Sequence, residues 1–446
     1  MGEIQRVMTA SAATPRMGMI GSVGTQAGRL LAAAALATGL ASAPAMAKDP
    51  LSEVLQYGGT EWSDGFDAAS VGAADVRTST PTMSPQIVGA LQQAIQTYSD
   101  IVARGGWPMV PADKTLRIGM SDPAVAVLRR RLAIAGDMPP APGNQNSFDS
   151  YVDAAVKRFQ ARHGIHADGV VGDSTFAALN ISAQVRLAQL ATNLTRLKVL
   201  TAKASEQRYV MVNIPAASVE AVESGQVIQR HTAVVGKVDR PSPIVNSKIT
   251  EINFHPYWTV PASIIRKDLI PLMQKDPTYL STWKIRIYDG KGNEIPPEAI
   301  DWNTDQATKG YMFRQDPGDD NSLGIVKINF PSPDGVYMHD TPHKGLFNAD
   351  YRFDSSGCVR IQNIRELITW ILRDTPGQTP DQVEAQLRDP VRLDIRVNNP
   401  VPLHWTYITA WATEDGIVNF RNDIYNLDGL DQVTEDTAAA AAPPPL

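Results

Sequence analysis

Two spacings of apolar residues divide the chain into a helical first part and a strand-rich second part. Between residues 84 and 103, and again between 181 and 204, apolar side chains recur every three or four positions, which predicts two amphipathic helices that pack on each other. From Arg208 onward, short apolar runs are bounded by turn residues, which is typical of β-strands. The pattern therefore predicts an α+β, multidomain protein.

A compact all-helical module is predicted between residues 116 and 180. Asp122, Asp149 and Asp173 each precede a run with helical spacing and are expected to cap three helices, and Gly164 is expected to end the second. His163 and the nearby His166 are expected to face solvent.

The strand-rich part contains a segment that looks like an insertion, residues 262–322, in which a turn at 289–293 predicts a hairpin. Helices are expected after Asn363 and from Thr379. Strands are predicted at 209–214, 227–235, 323–330, 335–339 and 391–395.

The composition bounds the class of protein. The chain has 446 residues, of which 43% are hydrophobic and 20% charged, so several folded domains are expected. A single cysteine, Cys358, excludes an internal disulfide framework and a cysteine-rich zinc site. If this residue has a role, it acts as one thiol, either as a nucleophile or as a buried core residue.

The N-terminus has the pattern of an export signal. Arg16 and Arg29 precede an apolar run at 30–43, and Ala45-Met46-Ala47 resembles a signal-peptidase site, so residues 1–47 are expected to be removed, with retention as a short anchor as the alternative. The remainder carries 46 acidic and 38 basic residues, a formal charge of −8. This balance does not favour nucleic acid as a partner.

The candidate chemistry lies between a predicted strand and a predicted helix. Cys358 follows Gly357 in a polar turn, where a nucleophile is exposed and the two backbone amides can point at an oxyanion. His339, which lies 19 residues upstream, can act as the base and hold the thiol as thiolate. Arg360 can bind a substrate carboxylate or lower the pKa of the thiol.

Other interpretations of these and nearby residues stay open at this point. A lone cysteine is commonly a small buried hydrophobic residue, although a polar glycine-containing turn argues against that role here. His404 permits a papain-like order of cysteine and histidine, but its surroundings predict a strand. His339 and His343 are four residues apart, yet Pro342 opposes the helix that a zinc motif needs. Trp258 belongs either to a core or to a substrate groove.

The helical module resembles the peptidoglycan-binding domain of many wall enzymes. The similarity lies in a helix motif followed by a glycine-containing turn and a short helix. The residues that carry it are Ala155-Val156-Lys157-Arg158-Phe159-Gln160, Gly164, Asp168-Gly169-Val170-Val171-Gly172, Thr175 and Ala178-Leu179.

The thiol motif, Ser355-Ser356-Gly357-Cys358-Val359-Arg360 after Tyr337-Met338-His339, resembles the signature of the L,D-transpeptidases with the YkuD-type catalytic domain. The resemblance implies that His339 is the base, that Cys358 is the nucleophile and that Gly357 and Cys358 supply the amide donors. It further implies that the Ser356 carbonyl orients the histidine and that Tyr337 belongs to the active site. The chain departs from the family pattern at Asp340, where the family has Gly, and at Ser356, where it has His.

Further segments extend the resemblance to the large periplasmic members of this family. They include 236–243 and 256–261, with Trp258 as a substrate-binding candidate. The implied domains are a signal peptide (1–47), an N-terminal scaffold segment (48–115), the peptidoglycan-binding module (116–180), a scaffold helix (181–205), a β-rich catalytic domain (206–428) with a capping insertion (about 262–322), and a disordered tail (429–446).

The resemblance implies acyl transfer between peptidoglycan stem peptides, with a tetrapeptide donor, a diaminopimelate acceptor and a thioester on Cys358. It implies no metal or organic cofactor and inhibition by carbapenem-type compounds. For residues 116–180, glycan-strand binding and the positioning of a partner stay open as alternatives. Two alternatives remain: hydrolysis of the same acyl-enzyme by an L,D-carboxypeptidase or endopeptidase, and wall binding without catalysis.

Overall fold

The computed structural model describes residues 78–139, 145–203 and 206–430. The predicted signal peptide, the predicted N-terminal segment up to residue 77 and the predicted tail from residue 431 lie outside these ranges. The described residues all belong to one unit of tertiary contacts. Within them, no helix has both the length and the hydropathy of a membrane span.

The two predicted scaffold helices form and pack on each other. Helix α1 spans Pro85–Ala103 and begins at Ser84, whose hydroxyl accepts a hydrogen bond from the Ile87 N–H at 3.3 Å. The helix that follows the module spans Ala183–Lys203. Their apolar stripes meet in one core, because positions three and four apart lie on one helix face. Its buried members include Ile87, Leu91, Tyr98, Leu190, Leu197 and Phe420.

The module contains three helices, as predicted. Asp122 and Asp149 cap the first two, since their carboxylates accept hydrogen bonds from backbone amides of the first turn. Gly164 follows the second helix with a φ of +68°. The prediction for Asp173 is wrong by one residue, because Gly172 holds the cap position and Asp173 is the first helical residue. The helices are α2 Pro123–Ile134, α3 Ser150–Arg162 and α4 Asp173–Leu179, and the Ala183–Lys203 helix is α5.

The expectation that His163 faces solvent is wrong. Its ring is 8% exposed and stacks between Phe159, at a centroid distance of 3.9 Å, and Phe420, at 5.5 Å. Burial holds the pKa of His163 well below its ordinary value, so the ring is neutral. The adjacent Arg162 donates to the Val418 carbonyl at 3.2 Å. The module is thereby docked on the C-terminal hairpin.

A nine-stranded sheet forms the body of the strand-rich part. Its strands alternate between an apolar and a polar face: Val326 and Ile328 enter the core, so Lys327 and Asn329 lie on the opposite face. The strands are β1 Arg208–Asn213, β2 Ser218–Glu223, β3 Gln226–Gly236, β4 Val245–Phe254, β9 Val326–Asn329, β10 Met338–His339, β11 Phe353–Ser355, β12 Val359–Ile361 and β13 Leu393–Thr406. They lie in the order β11-β3-β12-β10-β9-β4-β13-β1-β2. Strands β2, β4, β11 and β12 were not predicted.

A capping subdomain follows β4 and has its own sheet and core. The predicted hairpin is confirmed, with the Asp289 N–H donating to the Asn293 carbonyl at 2.9 Å. Apolar residues from Val260 to Phe313 form the separate core. The subdomain contains β5 Trp258–Thr259, α6 Ala262–Ile264, a π-helical turn Ile265–Leu269, α7 Ile270–Lys275, α8 Tyr279–Thr282, β6 Ile285–Tyr288, β7 Glu294–Ile295 and β8 Met312–Gln315, with 3-10 turns at Pro297–Ala299 and Gln306–Thr308.

Two helices after the thiol motif complete the sheet domain. Helix α9, Ile364–Leu372, places Leu367, Ile368 and Ile371 in the core beneath the apolar face of the sheet. Helix α10, Pro380–Arg388, begins at Thr379 in a capping box, as the sequence predicts. The remaining elements are a 3-10 turn Lys344–Asn348 and the hairpin strands β14 Ala410–Ala412 and β15 Val418–Phe420.

Candidate active site

The thiol and the predicted base lie on neighbouring parallel strands. In the pairing of β10 with β12, Met338 is opposite Val359 and His339 is opposite Arg360. Because Met338 and Val359 enter the core, His339 and Arg360 lie on the polar face. Cys358 immediately precedes β12 and is half-buried. The structure thus brings together the residues that the motif predicted.

A chain of contacts connects the thiol with the capping subdomain. The Tyr337 hydroxyl is within hydrogen-bonding contact of the Cys358 thiol, and it accepts a hydrogen bond from Trp258 Nε1 at 3.2 Å. Trp258 belongs to β5, which pairs with β8 of the capping sheet. Trp258 therefore lines the site from the capping side, and its role in substrate binding stays a prediction.

His339 is buried and neutral. Burial, together with the positive charges of Arg360 and Lys327, lowers the pKa of His339 to about 3. Its Nδ1 contacts the backbone carbonyl of Asp340. Among the described residues this is the carbonyl that orients the ring, so the expected role of the Ser356 carbonyl passes to Asp340 in this structure.

Cys358 is a protonated thiol in this environment. Burial raises the pKa of Cys358 to about 11, although the Tyr337 backbone amide and hydroxyl and the charges of Lys327 and Arg360 act in the opposite direction. The expectation that His339 holds the thiol as thiolate does not agree with this. Burial disfavours both charged partners, and the two cations further disfavour the imidazolium, so the neutral thiol and neutral imidazole coexist.

The turn before the nucleophile is held by hydroxyl groups. Ser355 Oγ accepts from the Gly357 N–H at 3.2 Å and donates to the Cys358 carbonyl at 2.5 Å. Ser242 Oγ donates to the Gly357 carbonyl at 2.8 Å. Gly357 has a φ of +106°, which favours glycine. Of the two amides expected to face an oxyanion, that of Gly357 is engaged by Ser355, whereas the Cys358 N–H has no acceptor among the described residues.

Ser356 is exposed and serves as a contact for the capping subdomain. Its hydroxyl accepts from Arg240 Nη1 at 3.0 Å. The same guanidinium binds both carboxylate oxygens of Asp268, in the π-helical turn, at 2.5 and 2.9 Å. Arg240 therefore connects the turn that precedes Cys358 with the capping subdomain.

Sequence reasoning missed Lys327 and the role of Asp340. Lys327 is opposite His339 in the antiparallel pairing of β9 with β10, and its Nζ lies 4.3 Å from the centre of the Tyr337 ring. The alternation of Val326-Lys327-Ile328-Asn329 was the available signal. Asp340 is buried and accepts from the Ile325 N–H at 3.1 Å, where the capping subdomain rejoins the sheet.

His404 does not belong to the site. It lies on β13, four strands from β12 in the sheet order, with its Nε2 3.8 Å from Glu206. The papain-like arrangement would require it beside Cys358, so that interpretation is wrong.

Comparisons with known proteins match two segments of the chain. Residues 207–388 match the family model "L,D-transpeptidase catalytic domain", and residues 121–179 match "Putative peptidoglycan binding domain". A curated Haemophilus influenzae protein, "Putative L,D-transpeptidase", is 36% identical over 242 residues, which cover 54% of this chain and 48% of the relative. The match therefore spans about half of the relative's length.

Two solved structures are similar to parts of the chain. A crystal structure of an L,D-transpeptidase from Xylanimonas cellulosilytica is 16% identical, covers 66% of this chain and 99% of that chain, and has a TM-score of 0.21. A second, from Stackebrandtia nassauensis, is 14% identical, covers 67% of this chain and 96% of that chain, and has a TM-score of 0.24.

Proposed function

We propose that the protein is a cysteine-dependent L,D-transpeptidase that forms 3–3 cross-links between peptidoglycan stem peptides, starting from the match of residues 207–388 to the L,D-transpeptidase catalytic domain. The observation that supports the proposal is the neighbourhood of Cys358: the half-buried thiol lies against Tyr337, and a neutral His339 lies on β10, the strand paired with β12.

The first half-reaction forms a thioester. Cys358 Sγ attacks the carbonyl carbon between the third residue of the donor stem and its terminal D-alanine, while His339 takes the thiol proton through Nε2. The Cys358 N–H, which has no acceptor among the described residues, stabilises the oxyanion. Collapse breaks the C–N bond, and His339 returns the proton to the leaving amine of D-alanine.

The second half-reaction transfers the acyl group. The side-chain amine of a diaminopimelate residue on another stem attacks the thioester carbon, and His339 accepts a proton from that amine. The new C–N bond forms as the C–S bond breaks, and His339 reprotonates the thiolate. The capping subdomain, held over the site by Arg240 and Trp258, favours transfer over hydrolysis because it limits access of water.

The proposal includes the site of action. The export signal predicted at residues 1–47 and the peptidoglycan-binding domain at 121–179 support action on the wall from the periplasm, with the module holding peptidoglycan. Stem peptides are the proposed substrates, and carbapenem-type compounds are expected to acylate the same thiol.

The test uses the purified exported chain and a disaccharide-tetrapeptide donor. Intact mass should show an acyl adduct on the wild type and none on Cys358→Ala, and a 3–3 dimer should appear among the soluble products. Tripeptide without dimer would assign hydrolysis instead. A folded wild type that binds peptidoglycan but forms neither adduct nor product would contradict catalysis and leave wall binding as the function.

A further inference from the structure

Two cations lie on either side of the candidate base. His339 is opposite Arg360 on β12 and opposite Lys327 on β9, and all three residues lie on the polar face of the sheet. Two strand spacings, about 10 Å, separate the backbones of Lys327 and Arg360. Neither side chain forms a hydrogen bond or an ion pair with a residue in the described ranges, and Arg360 Nε is buried without an acceptor.

Nearby carboxylates are held by other groups. Asn253, which is opposite Lys327 on β4, donates through Nδ2 to Glu251 at 2.9 Å and to Asp394 at 2.8 Å. Asn329 also donates to Glu251, at 3.2 Å. The two carboxylates act on Lys327 through space without pairing with it, and its ammonium group rests over the Tyr337 ring near the thiol.

A half-buried ammonium that forms no ion pair or hydrogen bond gains when an anion reaches it. Burial lowers the pKa of Lys327, which means that the charged form is less well solvated than it is in water. A carboxylate that binds beside Cys358 would restore the lost interaction. A stem peptide carries several carboxylates, and two of them, at its terminal D-alanine and at the D-centre of diaminopimelate, belong to the residues that the scissile bond joins.

We propose that Lys327 binds the carboxylate of the terminal D-alanine or of the diaminopimelate D-centre of the stem peptide, on the side of His339 away from Arg360. This inference rests on the proposed function for the identity of the ligand. Arg360 and Lys327 then form two anion sites on either side of the base, and binding of substrate reduces the positive charge around His339. The site becomes more basic when it is occupied by the stem than when it is empty.

The experiment measures binding in the Cys358→Ala protein, which has no turnover and no thiol for Lys327 to influence. Calorimetric titration compares this protein with Cys358→Ala/Lys327→Met and with Cys358→Ala/Lys248→Met. Lys248 lies exposed on β4 of the same sheet and is the matched control. The three ligands are the disaccharide-tetrapeptide, its diaminopimelate D-centre amide and its D-alaninamide, and circular dichroism checks the fold of each variant.

Lys327→Met is expected to weaken binding of the free acid by about 10- to 100-fold, the effect of one charge-assisted hydrogen bond. The loss should shrink to about 2-fold or less with one of the two amides, and that amide identifies the carboxylate. Lys248→Met should leave all three affinities unchanged. Equal losses on the three ligands, no loss on any, or no binding by the Cys358→Ala protein would each overturn the inference.

The proposed function is judged separately. Lys327-dependent binding together with a wild type that forms no acyl adduct would overturn the transpeptidase proposal and leave the carboxylate site standing. An active wild type whose binding is insensitive to Lys327 would do the reverse.

Discussion

The thiol of Cys358 should react slowly at neutral pH, and its reaction rate should keep rising with pH up to strongly basic values. Burial raises its pKa to about 11, and His339 is neutral because its pKa is lowered to about 3. The reactive thiolate is therefore a minor species at neutral pH, and its population should rise about tenfold per pH unit up to the thiol pKa. Removing the Tyr337 hydroxyl, which stabilises the thiolate, should shift the dependence to still higher pH.

The alkylation rate of Cys358, relative to that of an ordinary cysteine, follows from two opposing effects. At pH 7 a thiol with a pKa of about 11 is about 0.01% ionised, against about 3% for an ordinary cysteine, which is a deficit of about 300-fold. The more basic thiolate is intrinsically more nucleophilic, and this recovers about 10-fold. Cys358 should therefore be alkylated about 30-fold more slowly than a cysteine in an unstructured peptide.

The assay is alkylation by iodoacetamide, a neutral reagent, followed by intact mass between pH 6 and 10. Because the chain contains one cysteine, the mass increase reports on Cys358 alone. Tyr337→Phe should lower the rate at pH 8, and Tyr351→Phe, at a tyrosine that is 58% exposed, is the matched control. A rate that is independent of pH between 6 and 8 would refute the reasoning, since it would require a preformed thiolate–imidazolium pair.

Three further predictions concern stability and the cap. As pH falls from about 6.5 to 4, the free energy of unfolding should decrease. The unfolded chain takes up protons at His231 and His339 over this range, whereas in the folded chain their pKa values are about 4 and 3 and both stay neutral. An unfolding midpoint in urea that is constant over this range would contradict these lowered pKa values. Asp268→Asn should loosen the capping subdomain and so raise the proportion of tripeptide over dimer, at a cost of at most about 1 kcal/mol of stability. Asp305→Asn, in an exposed pair with Lys309, should change neither quantity. An unchanged product ratio would show that the Arg240 contact does not limit the access of water to the site. Gly324→Ala should lower the free energy of unfolding, measured by chemical denaturation, by about 1–3 kcal/mol more than Gly310→Ala. Both glycines have positive φ, but only a Cβ at Gly324 would meet Asp340, at 2.4 Å. Equal losses of stability would show that Asp340 moves aside without an energetic cost.

Local signals in the sequence predicted much of the fold. Capping residues such as Asp122, Asp149 and Thr379 act on the amides that follow them, so helix starts were accessible. The burial of His163 was not, because its partner Phe420 lies more than 250 residues away in the chain. Strand β2 was also missed, since its pairing with β1 and β3 depends on tertiary contacts rather than on a strong local pattern.

In the candidate site, too, some residues could be predicted from local sequence and others only from tertiary contacts. Cys358 and His339 could be named because a nucleophile and its base require particular residue types in particular turns and strands. Lys327 could not be connected with them, since strand register alone brings it opposite His339. The protonation state also escaped prediction, because the charge balance depends on how deeply the pair is buried and on which cations surround it.

The docking of the module has a consequence for how the protein would sample the wall. Across the junction, Arg162 Nη1 donates to the Val418 carbonyl at 3.2 Å and Arg421 Nη1 donates to the Arg162 carbonyl at 3.1 Å. The His166 N–H donates to Asp350 at 3.1 Å. A module on a flexible tether would give the thiol an effective concentration averaged over many separations. Under the proposed function, a docked module would instead set one separation, so that stems at one offset along a bound strand would come within reach of Cys358 and their neighbours would not.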